Sequence, residues 1–238
     1  MRRIGFSTGA LARGDVGLAL EMLRNKSVQI IEISALRQHE LQPMVDMLDD
    51  LDLDKFQYKS FHAPSSIESD FETTALDLLA RVAARGWPII VHPDAMHDVN
   101  EWSRFGDLLY VENMDKRKQI GQTADDLASI FEDLPDSGLC LDLGHARQVD
   151  PTMSEAAEIL SRFQDRLKQL HVSEVNSQSQ HDPLTLESVL AFQRVSRLIP
   201  ADIPIILESR VGESEIEREI QSALSALTTI DLLAIAGD

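Results

Sequence analysis

Short apolar runs begin near Ile4, Val28, Phe56, Ile89, Leu108, Leu139, Leu167 and Ile203. Each is too brief for a helix and reads as a buried β-strand. Between them, apolar positions recur at helical spacing. From Ala75 to Arg85, Leu76, Leu79, Val82 and Ala83 share one face, and Gly86 stands where a helix would stop. Thr123 and Asp126 form a capping pattern ahead of Leu127 and Ile130. Asp150-Pro151 and Asp182-Pro183 each read as an N-cap followed by proline at the first helical position, opening the sixth and seventh helices. In the fourth interval, Asp98 to Phe105 leaves room for about two helical turns. The alternation of eight strands with helical stretches predicts an α/β architecture, a (β/α)₈ TIM barrel occupying residues 1–238 as a single domain. A doubly wound open sheet is the alternative, but the chain carries neither GxGxxG nor GxxxxGKS/T.

The chemistry of a parallel barrel sits at the C-terminal ends of its strands. There this chain places His62, His92, Glu112, Asp142, His171 and Glu208, at the ends of strands three to eight. His145 lies three residues beyond Asp142 and is expected on a loop; His181 closes the long loop after strand seven. A lone strand-end histidine is ordinarily a satisfied polar residue, but recurrence strand after strand points to one metal site. Carboxylates with imidazoles suit Mn²⁺, Mg²⁺, Co²⁺ or Zn²⁺, and the histidines tilt the set towards zinc. The expected ligands are Glu112, Asp142, His171, Glu208, His62, His92, His145 and His181, holding one to three ions. His97 is expected at the surface, His39 is left open, and Asp182 is better explained as a cap than as a ligand. Lys116, Arg117 and Lys118 crowd the loop after Glu112, while Arg147 and Arg210 follow His145 and Glu208 by two residues. Lys116, Arg117, Arg147 and Arg210 are therefore candidate contacts for a phosphate or carboxylate on the substrate. Glu174 either orients His171 or is a solvated acid.

Composition narrows the partners. Forty acidic residues against 22 basic give a formal charge of −18. That disfavours duplex nucleic acid, whose binding draws on a basic face, and leaves a small molecule as the expected partner. Asp46 to Asp54 and Glu213 to Glu219 hold part of the excess and read as solvated helix surface. Hydrophobic residues make up 43% of the chain, enough for a sizeable core. Cys140 is the one cysteine and is expected as a buried strand thiol. No run approaches the roughly 18 apolar residues of a membrane span. The start of the chain makes a poor signal-peptide core, so the cytoplasm is the expected location. No segment marks a subunit interface, and a homo-oligomer stays open.

Taken together, Val91-His92-Pro93, Val111-Glu112-Asn113, Leu141-Asp142-Leu143-Gly144-His145-Ala146, Leu170-His171 and Leu207-Glu208-Ser209 resemble the xylose-isomerase-like TIM barrels. That superfamily includes endonuclease IV and many sugar isomerases and epimerases. The resemblance runs from Ile4 to Glu208, and its phrases are specific in combination rather than singly. Likeness to the sugar epimerases implies that Glu112, Asp142, His171 and Glu208 hold one metal. It further implies that Glu112 and Glu208 exchange protons with the substrate and that His145 contacts it. Those enzymes often carry an arginine shortly after the strand-seven histidine, whereas residues 172–177 read Val-Ser-Glu-Val-Asn-Ser. Likeness to endonuclease IV implies a three-zinc cluster of His62, His92, Glu112, Asp142, His145, His171 and Glu208. Its Asp-x-His pair corresponds to Ser179-Gln180-His181, which keeps the histidine and loses the aspartate. A two-metal site bridged by Glu112 would remain, able to activate water against a small phosphoester. The expected function is a metal-dependent isomerase or epimerase of a sugar or sugar phosphate. The alternatives are a di- or tri-zinc phosphoesterase and a barrel that binds without catalysis.

Overall fold

The computed structural model describes residues 2–228. Eight parallel strands close into a barrel: β1 (Ile4–Ser7), β2 (Ile30–Ser34), β3 (Tyr58–His62), β4 (Ile89–Val91), β5 (Leu109–Glu112), β6 (Gly138–Asp142), β7 (Leu167–Val172) and β10 (Ile205–Leu207). They follow one another around the barrel in chain order, and β10 closes it against β1 with Ile4 opposite Ile205. The two remaining strands, β8 (Glu174–Val175) and β9 (His181–Asp182), form a small antiparallel hairpin over the end of β7. The (β/α)₈ expectation is met.

Successive residues of a strand point to opposite faces, so each strand contributes to two environments. Phe6, Ile31, Ile33, Phe61, Ile89, Val91, Leu109, Val111, Leu139, Leu141, Leu170, Val172, Ile205 and Leu207 belong to one large apolar core shared with the helices. At roughly 1.5–3 kcal/mol for each large side chain buried, this layer supplies most of the drive to fold. The opposite positions carry Glu32, Ser60, Tyr58, Gln169 and His171, alongside Ile30, Ile206 and a small apolar cluster of Ile90, Tyr110 and Cys140. Glu32 of β2 bonds Gln169 and His171 of β7, strands that are not neighbours, so these side chains meet inside the barrel. Cys140 is buried there as expected.

The helix over Glu72–Ala83 buries Leu76, Leu79 and Val82, and Gly86 follows it with φ +73°, a left-handed turn that glycine adopts without strain. Thr123 and Asp126 cap the Ala124–Asp133 helix reciprocally. The fourth interval holds a single turn of α-helix, Val99–Trp102, followed by a 3₁₀ segment. Two helix starts differ from expectation. Asp150 closes the Leu143–Val149 helix, and the next helix opens later, at Ser154. Its carboxylate still serves that start by accepting from the Glu155 backbone. Asp182 lies in the hairpin and accepts from Asn176 Nδ2, while Thr185 caps the Leu186–Gln193 helix. The first of these helices starts after Met153, which adopts the left-handed region without a side-chain cap, and the second after Thr185. Glu219 also departs from the solvated-face reading. It is 4% exposed, accepts the Leu184 N–H at 2.9 Å and bonds the Ser209 hydroxyl, which ties the end of β10 to the exit from the hairpin. Among the described residues, no helix is long and apolar enough to cross a membrane.

Candidate functional site

The C-terminal ends of the strands bring the expected residues to one place. Asp142 and His171 end β6 and β7 side by side in register, and Glu112 ends β5 next to them. Among the described residues, four overlapping groups could each hold a metal ion, with ligand atoms all within 4.8 Å of one another. They are Glu112, Asp142, His171 and Glu208; His62, His92 and Glu112; Asp142, His145 and His181; and His62, His171 and Glu208. These buried His, Asp and Glu groups are able to bind metal. All lie buried except His181, which is partly exposed at the wall.

Glu112 sits among the imidazoles. Its Oε2 is 3.0 Å from His62 Nε2 and 3.2 Å from His92 Nε2, and its Oε1 is 3.2 Å from His171 Nδ1. Several imidazoles are anchored at one nitrogen by a group outside the cluster. His62 Nδ1 donates to the Ala63 carbonyl at 2.6 Å, and His145 Nδ1 donates to the Asn113 carbonyl at 3.0 Å. A ring fixed this way presents the lone pair of its other nitrogen in a set direction, which suits metal ligation. His145 is not on a loop. It belongs to the Leu143–Val149 helix, which begins directly at the strand end because Asp142 Oδ1 caps it by accepting the His145 N–H at 2.7 Å. Gly144 is required in that turn, since a Cβ there would lie 2.5 Å from Val175 Cγ2 and 2.7 Å from the Ser173 carbonyl. The close approach seats the hairpin on the helix. The hairpin in turn carries His181, whose Nδ1 is 2.8 Å from Ser173 Oγ and 3.4 Å from Glu208 Oε2.

Crowded charge sets the acidities. Burial raises the Glu112 carboxyl, but His171 and His92 outweigh it and hold the group well below its usual range. Burial pushes Glu208 up to about 8, against the pull of His171 and with the charges of Glu112 and Asp142 adding to it. His62 is lowered by burial, yet the hydrogen bond and charge of Glu112 bring it up to about 9. His181 goes the other way, to about 4, because burial dominates.

Above the cluster opens a cavity of about 510 Å³, walled by Ser7, Ser34, Ser65, Met114, Arg117 and Arg210 together with the histidines and glutamates. The expected cations divide. Arg210 lines the mouth and is exposed, with no acid partner among the described residues. Arg117 lines it too but is held by Asp115 at 2.9 Å. Lys118, not among the four candidates, is also in the wall and pairs with Asp94. Lys116 does not line the cavity, and Arg147 is bound to Glu174 and Glu187 behind it. Glu174 therefore serves Arg147 and the Thr185 hydroxyl rather than His171. His39 and His97 are exposed, away from the cluster.

Sequence reading missed the groups beneath the site. His171 Nε2 contacts Glu32 at 3.2 Å and Gln169 at 3.0 Å, and Asn113 brackets the Asp142 backbone on both sides. Burial raises the Glu32 carboxyl, but His171, then His62 and the Gln169 amide, leave it below its usual value. The signal was present as a polar residue inside an apolar run, Ile30-Ile31-Glu32-Ile33.

No protein-family model and no curated protein matches the chain. Solved structures do match. A xylose isomerase domain protein from Planctomyces limnophilus is 13% identical, with 94% of each chain covered and a TM-score of 0.57. A xylose isomerase-like TIM barrel protein from Mycobacterium smegmatis, crystallised in complex with magnesium, is 16% identical over 89% of each chain with a TM-score of 0.54. A protein from Anabaena variabilis, provisionally assigned as a sugar phosphate isomerase/epimerase, is 14% identical over 93% of this chain and 88% of its own, also with a TM-score of 0.54. At these identities the likeness is one of architecture: the chain carries the fold of the xylose isomerase-like TIM barrels.

Proposed function

We propose that this barrel is a divalent-metal-dependent isomerase or epimerase of a sugar or sugar phosphate, working by proton transfer at its C-terminal mouth. The observation that carries the reading is the buried convergence of Glu112, Asp142, His171 and Glu208 under a cavity of about 510 Å³, a size suited to a small ligand. The residues fit a cation. Three carboxylates and an imidazole form a mixed oxygen and nitrogen donor set, and Asp142 Oδ2 is buried with no hydrogen-bond partner among the described residues. An unpaired buried carboxylate oxygen is costly unless positive charge compensates it. Zinc or manganese suits this set, and magnesium or cobalt is compatible. Such an ion would polarise substrate carbonyl and hydroxyl oxygens and so acidify the neighbouring C–H bond.

The chain's own residues do the rest. Glu112 and Glu208 come from β5 and β10, with β6 and β7 between them, and so reach the substrate from separate parts of the rim. One carboxylate can remove a proton from carbon while the other returns it. His145 would contact a substrate hydroxyl, and Arg210 would hold a phosphate or carboxylate substituent. A small-molecule substrate and a cytoplasmic setting go with this reading, and the charge of −18 argues against duplex nucleic acid.

A second reading, a two- or three-metal phosphoesterase, has its own support. His62, His92 and Glu112 make a group on one flank, and Asp142, His145 and His181 make one on the other. Asp142 there offers the carboxylate that Ser179 lacks. The two readings separate when metal-loaded protein is incubated in D₂O with aldoses, ketoses and their phosphates. Proton transfer predicts deuterium at a carbon next to the carbonyl. Release of inorganic phosphate without deuterium incorporation would replace the isomerase with the hydrolase.

A further inference from the structure

We propose that Glu32 is a positioning residue for this centre: its carboxylate, below the cluster, fixes the His171 ring so that Nε2–H points down the barrel and Nδ1 faces Glu112, Asp142 and Glu208. The inference rests on the reading of those four residues as metal ligands. Glu32 does not line the cavity and is fully buried, out of reach of substrate.

The hydrogen bonds determine the direction of each group. Glu32 Oε2 lies 2.7 Å from Gln169 Nε2, 3.0 Å from Ser60 Oγ and 3.2 Å from His171 Nε2. The Gln169 amide is oriented from its other end, where the Tyr58 hydroxyl donates to Oε1 at 2.8 Å. Turned the other way, that amide would set its oxygen against the carboxylate, two acceptors face to face. Gln169 Nε2 also lies 3.0 Å from His171 Nε2, a hydrogen bond the amide makes only to the ring form with hydrogen on Nδ1, so that form competes with the one Glu32 favours. A carboxylate in that position accepts only, so it favours the ring form with hydrogen on Nε2. Nδ1 lies 3.2 Å from Glu112 Oε1 and 3.6 Å from Glu208 Oε1, so its lone pair faces that side when a cation held by those carboxylates stands between them.

Stability alone does not account for an acid here. The interior of such a barrel is ordinarily filled by branched apolar side chains, and a buried charge is expensive to desolvate. Glu32 stands in an apolar strand, and its Oε1 has no hydrogen-bond partner among the described residues. What the acid adds is the orientation of the one imidazole in the four-residue group. A carboxylate behind a ligating histidine fixes its orientation and strengthens it as a ligand, and losing such a partner typically lowers metal affinity about 10–100-fold.

The experiment has two arms. In zinc-loaded wild-type protein, ¹⁵N shifts of His171 are expected to show a metal-bound Nδ1 and a protonated Nε2; the reverse assignment overturns the proposal and needs no variant. Zinc affinity is then measured by competition with a chelator. Glu32→Ala should weaken it about 10–100-fold, and Glu32→Gln, which keeps an oxygen able to accept from Nε2–H, should recover part of the loss. Ile90→Ala, which also alters the barrel interior, should leave affinity within about twofold, whereas a purely structural role for Glu32 predicts similar losses in both. Tight zinc binding that Glu32→Ala leaves intact defeats the Glu32 proposal alone. Wild-type protein that binds no zinc, cobalt, manganese or magnesium defeats the functional reading as well.

Discussion

The barrel wall separates two interiors built on different chemistry. Outside it, Phe6, Ile33, Val91, Leu141 and Leu207 pack against helices in a continuous apolar layer. Inside it, the same strands present Glu32, Ser60, Gln169, Glu112 and His171, joined by hydrogen bonds across the barrel. The outer layer is non-directional, so its stability follows from area and volume. The inner column is directional, and each polar group needs a partner at a defined angle and distance. A fold can bear this arrangement when the outer layer stabilises enough to offset the burial of charge within. Changes to the outer layer should therefore act on stability, and changes to the inner column on metal and chemistry.

The strongest contrast is expected at Glu112, which lies against four imidazoles. Glu112→Gln should lower proton-exchange turnover by about 10²–10⁴-fold, measured as deuterium incorporation, with a small shift in melting temperature by comparison. Leu79→Ala should do the opposite. Leu79 is fully buried between its helix and the barrel, and truncation should cost about 2–5 kcal/mol in denaturant unfolding while metal affinity stays unchanged.

Glu72 tests whether polar groups in the outer layer behave like those inside. Its carboxylate accepts from Trp102 Nε1 at 2.8 Å and from the backbone N–H groups of His97 and Asp98. Glu72→Ala should cost roughly 1–3 kcal/mol through orphaned donors, with no effect on catalysis. Burial raises this carboxyl, but the Trp102, His97 and Asp98 hydrogen bonds outweigh it and hold the group below its usual value. The native state thus gains stability above the unfolded carboxyl's pKa and loses it as pH falls through the lower folded value. The variant should show a shallower decline on the acid side. The smallest effect is expected at the rim. Arg210→Ala should raise KM about tenfold for a phosphorylated substrate and spare a neutral one, and an equal response to both would remove the phosphate assignment.

How far the sequence reaches follows from the same division. The eight strands were legible because apolar runs of strand length bounded by helical spacing leave few other readings. The strand-end candidates were legible as one group because a parallel barrel brings the ends of β3 to β7 and β10 to one rim whatever lies between. Glu32 and Gln169 were not, because their partners exist only once β2 and β7 face each other across a closed barrel. His145 was expected on a loop because nothing in Leu141-Asp142-Leu143 announces that the strand-end carboxylate also caps a helix. Arg147 was read as a rim cation because its pairing with Glu174 depends on a hairpin of two-residue strands, too short to leave a pattern.

The most direct test of the account is elemental analysis of the purified chain, before and after stripping with a chelator and re-titration with zinc, manganese, cobalt and magnesium. The account predicts one to three divalent ions per chain, recovered on re-titration and lost in Glu112→Gln. A wild-type protein that carries none, and takes up none at millimolar metal, would contradict it.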